Sequence, residues 1–169
     1  MSFRKIELKE LSFNPFDKIG KEWMLITAGT PENFNTMTAS WGQLGVLWNK
    51  KVLTCYIRTN RYTYDYLEKG EYFTASFFGE EYRSVLSFCG TNSGRDCDKV
   101  KETGLTPAVT GSGVAFEEAD LVLVCRKVYT YDMDESGFVS GEGLPEQFYS
   151  KDPYHKAYIS EIVEAYVKE

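Results

Sequence analysis

The chain opens by alternating charged and apolar residues as far as Leu11, the pattern of an edge strand or extended arm, and Asn14-Pro15 breaks it. Residues 23–29 form a compact apolar run that ends at the Thr30-Pro31 turn signal and predicts a strand. Residues 35–42 are small and rich in hydroxyls, with too little bulk for a simple core strand. Strand patterns resume over residues 52–57 and 71–78, and the longest covers residues 121–129. Residues 60–70 predict a short helix: Asn60 is placed to cap it, Tyr62 and Tyr66 fall on one face, and Gly70 stops it. Residues 80–88 repeat the helical pattern up to Cys89-Gly90, and residues 93–100 can open a third helix with Ser93 as cap and Asp96 three residues on.

Residues 104–113 read as a loop or irregular edge, and residues 133–152 as a poorly periodic excursion whose Phe138, Phe148 and Tyr149 suit a packed lid, a dimer contact or a plain surface loop. The terminal stretch, residues 158–167, fits a helix through Tyr158, Ile162 and Tyr166 and a strand through Ile159, Val163 and Val167 equally well. About seven strand candidates and three short helices result. Apolar strands need closure or cover, and helices this few and short cannot wrap a doubly wound sheet. The expected architecture is mainly β, a small barrel with helices at its flank. At 169 residues, with no internal repeat and no low-complexity linker, one domain is expected over residues 1–169.

Composition narrows the function. Hydrophobic residues make up 43% and charged residues 26%, enough to bury a core under a wetted surface. Twelve Tyr, eleven Phe and three Trp supply that core and leave flat groups for a planar ligand or partner. A net charge of -6 argues against nucleic acid as a partner while leaving room for a small phosphate site. No apolar run approaches the roughly 20 residues that cross a bilayer, and the first residues lack the apolar core of a signal peptide, so no membrane partner and a cytoplasmic location are expected. Cys55, Cys89, Cys97 and Cys125 form no CxxC pair, and with His155 the sole histidine neither a metal cluster nor a histidine-based triad is expected. Fingerprints of dinucleotide, P-loop and zinc-protease sites are missing too.

Two segments suit a phosphate. Residues 58–63 combine Arg58, Asn60, Arg61 and Thr63 at a helix start, where free N–H groups and guanidinium forks favour an anion. Ser93, Arg95 and Lys99 offer a second locus. The first reads equally well as a capped surface helix with solvated charges, and the second reads more readily so.

Residues 35–42, 56–63, 73–78 and 87–90 with 93–99, followed by His155 and residues 158–162, together resemble the flavin reductase-like, FMN-binding split-barrel family, which includes flavoredoxin-like proteins. The likeness extends over about residues 20–167. It implies a Greek-key split β-barrel, a homodimer with FMN near the subunit interface, and a strand at the C-terminus. By that resemblance Thr38, Ala39, Ser40 and Trp41 line the flavin, and Arg58, Asn60, Arg61 and Thr63 hold its phosphate. Cys89, Ser93, Arg95 and Lys99 complete the ribityl or phosphate side, Phe77 and Phe78 lie beneath or beside the cofactor, and His155 approaches the ring or the partner subunit. No side chain is expected to be catalytic, because flavin N5 would take a hydride from NADH or NADPH and pass electrons to an acceptor. No separate nicotinamide motif accompanies the resemblance, so an FMN-binding electron carrier is a second reading and a β-rich interaction protein a third.

Overall fold

A computed structural model describes residues 3–169. In chain order the elements are β1 (Phe3–Ile6), α1 (Pro15–Asp17) running into a π-helical turn (Lys18–Glu22), β2 (Met24–Thr30), β3 (Asn33–Ala39), β4 (Gly42–Leu47), β5 (Lys50–Arg58), α2 (Tyr62–Lys69), β6 (Tyr72–Phe77), α3 (Arg83–Thr91), α4 (Lys99–Thr103), β7 (Pro107–Thr110), β8 (Gly113–Phe116), β9 (Leu121–Asp132), α5 (Leu144–Tyr149) and β10 (His155–Lys168). The main sheet is antiparallel in the order β3-β2-β6-β9-β10-β5-β4, with β1 added on β10. It curls without closing, and β10 accounts for the split: residues 155–161 pair with β5, and residues 165–168 pair with β1. This is the split β-barrel with short flanking helices that the resemblance implied.

Successive strand residues point to opposite faces, so a strand covered on both sides must be apolar throughout. In β9, Leu121, Leu123 and Cys125 enter one core while Val122 enters a second. In β2, Met24, Ile26 and Ala28 enter the first core and Leu25 the other. The second core is roofed by α3 and by the hairpin β7–β8, whose Phe116 stands edge-on to Phe34 with ring centroids 6.2 Å apart.

Several local expectations change. Residues 104–113 contribute β7 and the start of a regular hairpin, with Ala108 opposite Ala115. Of the small residues 35–42, residues 35–39 end β3 and Gly42 opens β4, with Ser40 and Trp41 between the two strands. Helix α2 has Arg61, not Asn60, at its N-cap position, because the Arg61 N–H closes a turn onto the Arg58 carbonyl at 3.0 Å. Ser93 caps no helix either; its hydroxyl accepts from Arg95 N at 3.2 Å, and α4 starts later, capped by Asp98. Helix α3 runs through Cys89 and Gly90 to Thr91. The C-terminal ambiguity resolves as strand: register shifts at Ile159/Ser160 and Ile162/Glu164 break the two-residue period twice, which is why the sequence mimics a helix there.

Candidate functional site

The end of β3, the end of β5 and the start of β10 meet around a cleft of about 170 Å³. Thr38, Ala39, Ser40, Trp41, Arg58 and Arg61 line it with His155, so the structure brings these seven nominated residues together. Met37 and Tyr56 also line it. Tyr56 was not nominated, although it stands two residues before Arg58 on the same strand and so on the same face.

The back of the cleft is held by close packing. Thr38 donates its hydroxyl to the Leu86 carbonyl in α3, and a Cβ on Gly90 would stand 3.3 Å from Thr38 Cβ, close enough that one of the two would have to give by a few tenths of an ångström. Arg58 and Arg61 occupy the two ends of one turn. Burial, with the Arg58 charge behind it, lowers the pKa of the Arg61 guanidinium below its ordinary value. Among the described residues its guanidinium makes one hydrogen bond, a long one of 3.5 Å to the Cys89 carbonyl. Behind it lies Lys99, whose Nζ donates to the carbonyls of Thr36 and Cys89, both at 2.8 Å. Burial lowers the Lys99 pKa to about 8, the Cys89 thiol opposes that shift, and the Arg61 charge adds to it. Among the described residues none of these three cations is paired with a carboxylate.

Lowering an ammonium from 10.5 to about 8 corresponds to about 3 kcal/mol against the folded state when Lys99 is charged. That penalty is complete below pH 8 and shrinks as the pH climbs towards 10.5, because the folded protein sheds the proton while the unfolded chain keeps it. Urea denaturation at pH 7 and pH 9.5 should therefore show wild type gaining about 2 kcal/mol relative to Lys99→Met. Parallel pH dependences in the two proteins would rule the effect out.

The front wall comes from the 133–154 excursion. Arg58 donates to the Phe148 and Pro153 carbonyls, each at 3.0 Å, and lies 5.2 Å from the Tyr149 ring centre. Trp41 meets Phe148 edge-on at 5.2 Å and His155 at 5.3 Å. Tyr149 Oη and His155 Nδ1 are 2.7 Å apart. Burial, with Arg58 as the next cause, lowers the His155 pKa to about 4. The ring is therefore neutral at physiological pH.

The remaining nominated residues lie elsewhere. Phe77 is sealed in the first core and Phe78 in the second, and neither reaches the cleft. Thr63 is buried and accepts from Asn35 Nδ2 at 2.8 Å. The Cys89 thiol is buried and pushed up to about 11 by that burial; its carbonyl is the group the site uses. Asn60 accepts from Arg95 through its backbone carbonyl at 3.3 Å. Arg95 is engaged by Asp65 at 2.6 Å and stacks on Tyr62 at 4.6 Å. With Lys99, Arg95 lines a second hollow of about 650 Å³ that also takes in Asn35 and Tyr66. The loop approaches β3 so closely there that a Cβ on Gly94 would fall 2.0 Å from Asn35 Oδ1. A third hollow of about 620 Å³, at Lys18, Glu80 and Arg83, contains Phe78 but none of the other nominated residues and mixes both signs of charge. Among the described residues no group of three or more His, Cys, Asp or Glu is arranged for a metal, and no helix is long and apolar enough to cross a membrane.

The donor set therefore fits a planar ligand carrying a compact anion: small residues and hydroxyls, an aromatic wall, and unpaired cations. The fold and this arrangement define a split-barrel protein of the flavin reductase-like class. Its sequence matches the flavin reductase like domain over residues 16–169, and the chain belongs to that family. Flavoredoxin from Methanosarcina acetivorans is 19% identical, with a TM-score of 0.69 over 95% of this chain and 76% of that one. An FMN-binding domain of a flavin reductases-like enzyme from Shewanella baltica OS155 is 15% identical, with a TM-score of 0.70 over 99% of this chain and 78% of that one. The styrene monooxygenase flavin reductase of Pseudomonas putida S12 is 13% identical, with a TM-score of 0.64 over 88% and 80%. At these identities the likeness is one of fold. No curated protein matches the chain by sequence.

Proposed function

We propose that residues 1–169 are one flavin reductase-like domain that binds FMN in the cleft and acts as an NADH- or NADPH-dependent oxidoreductase in the form of a homodimer. The observation that carries this reading is the cluster of Arg58, Arg61 and Lys99, three cations without a carboxylate among the described residues of a chain whose net charge is -6. Cations left so near one another are costly unless an anion joins them. The relatives described as FMN-binding agree with it.

FMN would supply the redox chemistry, accepting a hydride and passing electrons on. Arg61 would meet the phosphate with its largely unused fork, and Lys99 would back it with charge. Thr38, Ala39, Ser40 and Trp41 would frame the ring, offering hydroxyls, backbone groups and an apolar face. Ser93 and Arg95 would act by fixing the loop that carries Lys99. Arg58, occupied by two carbonyls, would hold the wall.

The size of the cleft supports the homodimer. At about 170 Å³ it falls below the roughly 300–1,000 Å³ that enclose a ligand of this size. Exposed aromatics lie near it and on the sheet beyond: Phe16, Trp41, Trp48 and Tyr129. Trp48 has a φ of 50°, a left-handed conformation unusual for so bulky a residue, and its ring stands edge-on to Tyr129 at 6.0 Å. A second copy seated on this face would cover the rings and deepen the cleft.

Anaerobic stopped-flow mixing of the FMN-reconstituted protein with NADH, and separately with NADPH, tests the reading. Rapid bleaching of the flavin's visible band with either donor is expected. Bound but unreduced FMN would make the protein an electron carrier, and absence of FMN binding would remove the proposal entirely.

A further inference from the structure

The Tyr149, His155 and Arg58 contacts serve the cleft's front wall rather than a phosphate. His155 begins β10, Arg58 ends β5, and the two stand opposite each other in the strand register. The excursion between β9 and β10 would be free to swing away, as loops of this length do. Arg58 prevents that by gripping it at two carbonyls, Phe148 and Pro153, one on each side of the turn that follows α5. The grip brings the Tyr149 hydroxyl to Nδ1 of His155.

The direction of that hydrogen bond determines what the imidazole can do. A neutral imidazole has one N–H and one lone pair. The ring nitrogen is a stronger acceptor than a phenol oxygen, and among the described residues the Tyr149 hydroxyl has no other hydrogen-bond acceptor. Tyr149 therefore donates to Nδ1, and the ring proton resides on Nε2, the nitrogen that Tyr149 leaves unengaged.

We propose that Arg58 and Tyr149 are positioning residues that lock His155 as a neutral Nε2–H donor facing the cleft, where it takes a carbonyl oxygen or another uncharged acceptor of the bound ligand. Charging the ring would require a proton on Nδ1, where the Tyr149 O–H already points. The groups facing it favour the neutral form on balance: burial and the Arg58 guanidinium lower its pKa, while Asp152 opposes them weakly. A neutral N–H can stabilise negative charge as it develops on an acceptor without surrendering a full proton to it, and it stays ready across the physiological pH range. The role of the donor rests on the cleft being the flavin site; the locked tautomer does not.

His155 is the one histidine of the chain, so its imidazole signals need no assignment. Two-bond ¹H–¹⁵N correlation spectra of the ¹⁵N-labelled protein without flavin should show a single Nε2–H tautomer, unchanged from pH 8 to pH 5.5. In Tyr149→Phe an Nδ1–H population should emerge, and in Arg58→Gln the same change should follow from release of the wall. An Nδ1–H tautomer in wild type, ordinary protonation near pH 6.5, or a Tyr149→Phe spectrum identical to wild type would overturn the proposal. Adding riboflavin or FMN should then shift Nε2 and its proton. A bound flavin that leaves Nε2 unmoved removes the donor role, whereas failure of flavin to bind at all removes the proposed function and leaves the locked tautomer standing.

Discussion

Arg61→Ala is expected to weaken FMN binding by roughly 10- to 150-fold while changing riboflavin binding less than about threefold, since a hydrogen-bonded charge contact contributes about 1.5–3 kcal/mol and only FMN carries the phosphate. The three arginines nominated from sequence separate sharply in structure. Arg58 has spent both terminal nitrogens on backbone carbonyls at 3.0 Å. Arg95 has spent one on Asp65 at 2.6 Å and another on the Asn60 carbonyl at 3.3 Å. Among the described residues the Arg61 guanidinium makes one hydrogen bond, at 3.5 Å, and it lies half-buried beside Lys99, so its fork is the one available to phosphate oxygens. Arg61→Lys should fall between wild type and Arg61→Ala, because it keeps the charge and loses the two-pronged geometry. Isothermal titration with both ligands checks this. Equal losses for FMN and riboflavin would move the phosphate away from Arg61, and a larger loss in Arg95→Ala would move it to the second hollow.

How far the sequence could be read depends on how far each contact reaches along the chain. The strands β2 and β9 are legible because both faces are buried and the apolar run says so directly. Helix α2 is legible because Gly70 ends it and Tyr62 and Tyr66 share a face. The hairpin β7–β8 is hidden in part because Val109 points outward at 67% exposure among Pro, Thr and Gly, so no alternation marks it. Within the site, the hydroxyl-rich end of β3 and the two arginines of the β5 turn were legible as residue types with matching chemistry. Their roles were less so: the partners of Arg58 lie 90 and 95 residues further along the chain, and both are carbonyls, which any residue could supply. The Tyr149–His155 contact spans six residues, but only the folded excursion aims one ring at the other.

Phe77→Ala is expected to cost about 3–5 kcal/mol of stability, with a fall in Tm of roughly 6–20 °C, and to leave the FMN affinity of the folded protein within about threefold of wild type. The resemblance implied that Phe77 and Phe78 lie beneath or beside the cofactor, whereas strand geometry turns both into the cores and away from the cleft. Phe73, Ala75 and Phe77 share one face of β6 and are all sealed in the first core. Phe78 turns to the opposite side and is sealed in the second core with Leu25, Leu86 and Val122. A ligand could therefore reach Phe77 only by displacing core, and Phe78 borders only the hollow at Lys18, Glu80 and Arg83, away from the cleft. Trp41→Ala should behave the other way. Its ring is 44% exposed and lines the cleft, so flavin affinity should fall while stability changes by about 1 kcal/mol or less. Chemical denaturation and flavin titration on the two variants, with Phe77→Leu as a milder change, separate core from site. Loss of flavin affinity in Phe77→Leu without loss of stability would restore the ring to the cofactor and overturn the burial argument for β6.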